Sequence, residues 1–162
     1  GEEILVLEGI FSDEHGDWPA GTYLLNPEGF RHGPFSREGC TLFVKLRQFP
    51  GSDRRHVAIQ TGDLPWTPAD RPGTRIKSLY QQAPYTDRTR LELWEAPGRV
   101  GQIDFAGGAE LFVLGGGFAD EYGSYQRHSW LRIPPGGSLW PRGTEPCELY
   151  IKEGGFTYLQ QD

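Results

Sequence analysis

The chain repeats itself, and this constrains its fold before any single residue does. Residues 1–49 and 108–156 align without a gap at a constant offset of 107. GEEILVLEGIFSDEHG reads against GAELFVLGGGFADEYG, and GCTLFVKLRQF against PCELYIKEGGF. About 18 of the 49 aligned pairs are identical, too many for chance in an ungapped frame. A repeat of this kind means one structural unit used twice. It also provides a comparison inside the chain: where the copies differ in chemistry, one can hold a site that the other lacks.

The unit is made of strands. Ile4–Ile10 is an almost unbroken apolar run, Gly21–Asn26 is a short strand, and Thr41–Phe49 alternates Leu42, Val44 and Leu46 with Phe43, Lys45 and Arg47, the period of a half-buried strand. The second copy repeats them at Leu111–Gly117, Ser129–Ile133 and Glu148–Glu153. Asp13-Glu14-His15-Gly16 and Asp120-Glu121-Tyr122-Gly123 read as hairpin tips, because Gly after polar residues supplies positive φ. The 23 glycines and 13 prolines suit many strands joined by tight turns. No segment has a 3.6-residue period with caps at both ends. The fold class expected is all-β.

Residues 1–49 form the first unit, 50–56 a linker opened by Pro50-Gly51-Ser52, and 57–162 the second unit. Within the connector, His56–Thr61, Thr74–Tyr80 and Arg88–Glu95 read as strands that open the second unit. The matching strands of the first unit would lie before Gly1, so either the chain reads as part of something longer or its first barrel is closed by strands borrowed from elsewhere. It has no Met.

A net charge of −6 argues against a nucleic-acid partner, since phosphate binding wants a basic face. No apolar run approaches a membrane span and no signal peptide is present, so no membrane partner and a cytoplasmic location are expected. Cys40 and Cys147 occupy equivalent positions in apolar stretches and read as small core residues, not a disulfide. His15, His56 and His128 read as neutral surface residues, the aromatics as core, and the equivalent Lys45 and Lys152 as structural tethers.

Gly21-(five residues)-Pro27-x-Gly29-x-x-His32 is similar to the second cupin motif, with Ser36 where its closing Asn usually stands, and Glu2-(six residues)-Gly9 is similar to the end of the first. The surrounding text of residues 1–49 resembles the cupin domain of ChrR-type anti-sigma factors and their stand-alone relatives; residues 108–156 match more weakly but in register. The resemblance implies a double-stranded β-helix, or jelly-roll barrel, in two tandem cupin units: a bicupin. It implies Glu2 and His32 as metal ligands, joined by a His-x-His pair a few residues upstream of Gly1. Three imidazoles and one carboxylate suit a divalent transition metal, zinc or iron first, provided that upstream pair exists. In the second copy the four ligand positions fall on Ile103, Phe105, Ala109 and Leu139, none of them a ligand, so the second unit reads as metal-free.

The function implied first is a metal-binding sensor or regulatory cupin responding to a small molecule or oxidant. A metal-dependent dioxygenase acting on a small diketone-like substrate is the alternative, and a metal-free binding or structural bicupin the third. Whether the chain is an enzyme stays open at this point. The partners implied are a small-molecule ligand, a second copy in a homodimer, and a sigma factor only where an additional domain exists. Two geometric expectations follow. Glu2 and His32 should meet within about 5 Å, as ligands of one ion with bonds near ~2 Å would. Leu139 should be buried against Ile103 and Phe105.

Overall fold

The computed structural model describes residues 1–158. The chain divides into two compact units, Gly1–Leu64 and Pro65–Asp162. In the first, β1 (Glu2–Asp13) is flanked by β2 (Gly16–Pro19), β3 (Thr22–Asn26) and β4 (Cys40–Leu46), and β5 (Val57–Gln60) closes the sheet. The second unit holds β6 (Thr67–Pro68), β7 (Thr74–Gln81), β8 (Arg88–Trp94), β9 (Ile103–Phe105), β10 (Ala109–Gly115), β11 (Gly117–Ala119), β12 (Ser124–Gln126), β13 (Trp130–Ile133), β14 (Gly137–Leu139) and β15 (Cys147–Glu153). Its main sheet runs β13-β10-β15-β8-β7-β6, with β11-β12 and β14-β9 as separate ribbons. The architecture is the all-β jelly roll expected of curled, mostly antiparallel sheets.

The repeat holds at the level of ladder defects. β1 pairs antiparallel with β4, and β10 with β15. The register slips between Val6 and Glu8 in one copy and between Val113 and Gly115 in the other, the same bulge at the same offset. The isolated bridge Ser12↔Phe35 recurs as Ala119↔Arg142. Just past each bulge a glycine turns the chain at positive φ, +74° at Gly9 and +66° at Gly116. A Cβ there would run into the carbonyl oxygen of Gly39 or of Pro146, so both the dihedral and the space demand glycine.

Two features differ from the sequence reading. The strand at 57–60 does not open the second unit. It pairs with β3, Thr22 opposite Gln60 through Leu25 opposite Val57, so the compact boundary falls at Leu64/Pro65 rather than within 50–56. Edge pairing decided this: β3 pairs with β1 on one edge, and β5, which follows the linker directly, takes the other. In β4, Lys45 is buried while Val44 and Leu46 are 39% and 60% exposed, the reverse of simple alternation. Lys45 stands opposite Glu3 in the ladder, and Glu3 is itself buried under a hydrogen bond from the Tyr23 hydroxyl at 2.5 Å. Ile151, the counterpart of Val44 in β15, is fully buried, and β15 is paired on both edges, with β10 and with β8. Among the described residues β4 is paired with β1 alone.

Each unit has its own core. Ile4, Val6, Phe11 and Leu24 form the first, with Trp18, Cys40 and Leu42 packed against it. The second gathers Trp94, Ile103, Phe105, Leu111, Val113, Leu139, Leu149 and Ile151 among others. Both cysteines are free, and burial pushes the Cys147 thiol up to about 12, an inert core residue. Lys152 pairs with Asp87 at 3.0 Å in full burial, the tether anticipated for it. Among the described residues no helix is long and apolar enough to cross a membrane.

Candidate metal centre

Glu2 opens β1, between Asn26 at the end of β3 and Leu46 at the end of β4. After β3 the chain turns at Pro27–Phe30, closed by the Phe30 amide donating to the Pro27 carbonyl at 3.1 Å. Gly29 makes that turn at φ +85°, a conformation only glycine adopts without cost. The turn delivers His32 back over the start of β1. Its Nε2 lies 3.1 Å from Glu2 Oε2, inside the distance expected of two ligands to one ion. Asn26 Nδ2 donates to the same Glu2 oxygen at 2.8 Å and orients the carboxylate.

The other ring nitrogen, His32 Nδ1, faces Asp13 Oδ2 at 3.0 Å. Asp13 ends β1, and its Oδ1 accepts from the His15 amide at 2.9 Å, the Gly16 amide at 3.1 Å and Trp18 Nε1 at 3.2 Å. Burial works to raise its carboxyl, but hydrogen bonds from His32, His15 and Trp18 outweigh it and hold the group below the ordinary carboxylate range. Glu14 Oε2 accepts from the Gly33 amide at 2.7 Å, and His15 Nε2 lies 3.4 Å from the Arg31 carbonyl. Asp13, Glu14 and His15 of the hairpin tip thus hold His32, Gly33 and Arg31 of the facing loop. Phe11 and Phe30 stand edge-on to the His32 ring at 6.0 and 5.7 Å between centroids.

Asp13 and the role of His15 were not read from the sequence. Asp13 is matched by Asp120 in a plain hairpin turn, so the repeat comparison concealed it. His56, read as a neutral surface residue, stacks on Phe30 at 4.8 Å and 3°, and burial, then the nearby His15, lower its basicity. Three of the four histidines therefore gather around Phe30. The fourth, His128, sits at φ +71° where the first copy has Gly21 and stacks on Phe112.

The second copy is the control that nature supplies. Leu139 pairs directly with Ile103, and Gly137 with Phe105. Ile103, Phe105, Ala109 and Leu139 are all buried in one hydrocarbon cluster, as expected from the sequence. Asp120 keeps the turn but takes the Tyr125 hydroxyl at 3.1 and 3.2 Å in place of an imidazole. Glu110, beside the ligand position, points to Arg132 instead.

The donor chemistry at Glu2 and His32 suits a divalent transition metal: one carboxylate oxygen and one imidazole nitrogen facing each other, with a second carboxylate on the far ring nitrogen. These are two donors. Among the described residues no group of three or more His, Cys, Asp or Glu is placed to hold a metal. A cavity of about 360 Å³ in the first unit lies elsewhere, lined by Gly9, Ile10, Ser12, Asp17, Arg37, Glu38 and Gly39.

Solved structures share this fold at low identity. A candidate dioxygenase from Nostoc punctiforme matches with a TM-score of 0.71 and 20% identity, covering 93% of this chain and 60% of that one. A candidate glyoxylate-induced protein from Pseudomonas aeruginosa matches at 0.66 and 16%, covering 94% and 65%. Quercetin 2,3-dioxygenase from Acinetobacter baumannii matches at 0.57 and 15%, covering 94% and 66%. The chain thus spans less than two thirds of each of these proteins. No curated protein matches the sequence. The family model described as the ChrR cupin-like domain matches residues 1–50 and 54–158, and with both repeats inside that match the chain belongs to the ChrR cupin-like family.

Proposed function

We propose that the chain is the sensing part of a regulatory bicupin. Its first unit contributes Glu2 and His32 to a divalent-metal site, and its second is a metal-free barrel of the same design. The observation that carries this reading is the contrast between copies: Glu2 and His32 meet at 3.1 Å in one, while Ala109 and Leu139 are packed into hydrocarbon in the other. A scaffold that folds with alanine and leucine at those places does not need an acid–imidazole pair for stability. Membership of the ChrR cupin-like family supports a regulatory role over a catalytic one. A bound metal would supply Lewis acidity and open coordination positions for a small oxidant or metabolite. Sigma-factor binding is proposed only for a protein that also has a helical zinc domain.

Two measurements separate sensor from enzyme: melting of Zn2+- or Fe2+-loaded protein with and without a peroxide, and oxygen uptake with acetylacetone. A sensor shifts its melting temperature with metal and oxidant and consumes no oxygen beyond one turnover. Sustained oxygen uptake with acetylacetone, lost in His32→Ala, would replace the regulatory reading with a dioxygenase.

A further inference from the structure

Asp13 divides its two oxygens between two tasks. Oδ1 accepts three hydrogen bonds from its own turn, from the His15 and Gly16 amides and from Trp18 Nε1. Asp120 makes the same turn in the second unit, with the Tyr122 and Gly123 amides at 2.7 and 3.0 Å. That half of the carboxylate is architecture in both copies. Oδ2 differs. In the second unit it shares the Tyr125 hydroxyl, at 3.2 Å. In the first it faces His32 Nδ1 at 3.0 Å, and the carboxylate is almost fully buried, with 4% of its side chain exposed.

We infer that Asp13 is the positioning residue of His32: it takes the Nδ1 proton and leaves Nε2 as the bare nitrogen facing Glu2. This rests on the reading of Glu2 and His32 as metal ligands. A neutral imidazole has one N–H and one lone pair, and an ionised carboxylate can only accept. Glu2 Oε2 competes for that proton from the other side, at 3.1 Å, but it is 22% exposed and already accepts from Asn26 Nδ2. Asp13 is 4% exposed and lies at 3.0 Å. Asp13 therefore wins and selects the tautomer whose N–H is on Nδ1. The lone pair is left on Nε2, the nitrogen 3.1 Å from Glu2 Oε2. A carboxylate behind a ligating imidazole fixes the ring's orientation and raises its basicity. Glu14 reinforces the arrangement by holding the Gly33 amide at 2.7 Å, so the ring cannot swing off without breaking the loop from the hairpin tip.

Asp13→Asn tests this with little disturbance to the turn. The Asn carbonyl keeps the three hydrogen bonds at Oδ1, while its amide presents a donor to His32 Nδ1 and demands the opposite tautomer. Asp120→Asn is the control, since it alters the same turn where no imidazole is present. The first readout is the 15N NMR tautomer of the neutral His32 ring in the metal-free chain. The second is Zn2+ affinity by calorimetry. Wild type should show Nδ1–H and Asp13→Asn should show Nε2–H, with Zn2+ bound about 10- to 100-fold more weakly. Asp120→Asn should match wild type in both. An Nε2–H tautomer in the wild type, a reading that needs no variant, would overturn the inference. So would an unchanged tautomer and Zn2+ affinity in Asp13→Asn. A tautomer that inverts in a wild-type background that binds no Zn2+ would uphold Asp13's role and overturn the metal reading instead.

Discussion

At the scale of single residues, position in the repeat says more than residue type. Lys45, read as a structural tether, and Glu3, a charge that no motif marks, are both buried and stand opposite each other in the β1–β4 ladder. Opposite charges directly across a ladder are a favourable pair, and their counterparts Glu110 and Lys152 hold the same register. The recurrence of Glu and Lys at the 107 offset was visible in the sequence; their burial was not, because alternation assigns faces without saying whether both are covered. Gly9 is the opposite case, a residue whose type is dictated by one contact. Gly9→Ala should lower stability by at least about 1–3 kcal/mol, the cost of a strained left-handed residue, with the approach of the Gly39 carbonyl added to it. Gly39→Ala, also at positive φ but with open space around its Cβ, should cost less. Urea melts of the two variants check the order, and equal losses would show that space plays no part at Gly9.

At the scale of elements, β8 is the strand whose pattern misleads. Leu91 and Leu93 alternate with Arg90 and Glu92, which reads as an apolar face and a wet one. Trp94, however, shares the charged face and is wholly buried in the second core. Glu92 is buried with it. It accepts from Trp94 Nε1 at 2.7 Å, from Arg90 Nε at 2.7 Å and from Arg71 Nη2 at 2.7 and 2.8 Å. Arg90 in turn donates to Glu153 at 2.9 Å. Burial alone would raise the Glu92 carboxyl, but Arg90, Arg71 and Trp94 outweigh it and hold it below the ordinary carboxylate range. The sign of the pH dependence follows. A carboxyl depressed in the folded state adds stability that is complete above its unfolded value and fades as pH falls through that value to the folded one. The wild-type melting temperature should therefore fall steeply in acid. Glu92→Gln should be less stable at neutral pH by about 3 kcal/mol, as for a buried charge network that loses one partner, and its acid slope should be flatter. Thermal melts across the acid range test both, and parallel slopes would remove Glu92 from the acid response.

At the scale of the whole chain, the repeat made the principal strands and the apolar packing of Ile103, Phe105, Ala109 and Leu139 legible from sequence, while the unit boundary fell at Leu64/Pro65. The hairpin tip at Asp120–Gly123 was read, but neither the strands β11 and β12 that flank it nor the ribbon β14-β9 were, since three-residue strands leave too little period to detect. Nor was the pairing of β5 with β3, which depends on which edge is free and not on local pattern. The meeting of Glu2 with His32 followed from motif spacing, whereas Asp13 needed the structure, because hairpin geometry brings residues 13 and 32 together and no motif marks it. The central claim is that only the first unit holds a metal-binding pair. Zn2+ titration calorimetry on wild type, His32→Ala and Leu139→Ala tests it most directly. Wild type that includes the upstream His-x-His pair should bind Zn2+ at a single site, and His32→Ala in the same protein should weaken that binding at least about tenfold, as loss of a direct ligand should exceed loss of a residue behind one. Leu139→Ala should bind as wild type while losing about 2–5 kcal/mol of stability to a core cavity. Equal Zn2+ binding by wild type and His32→Ala would contradict the claim.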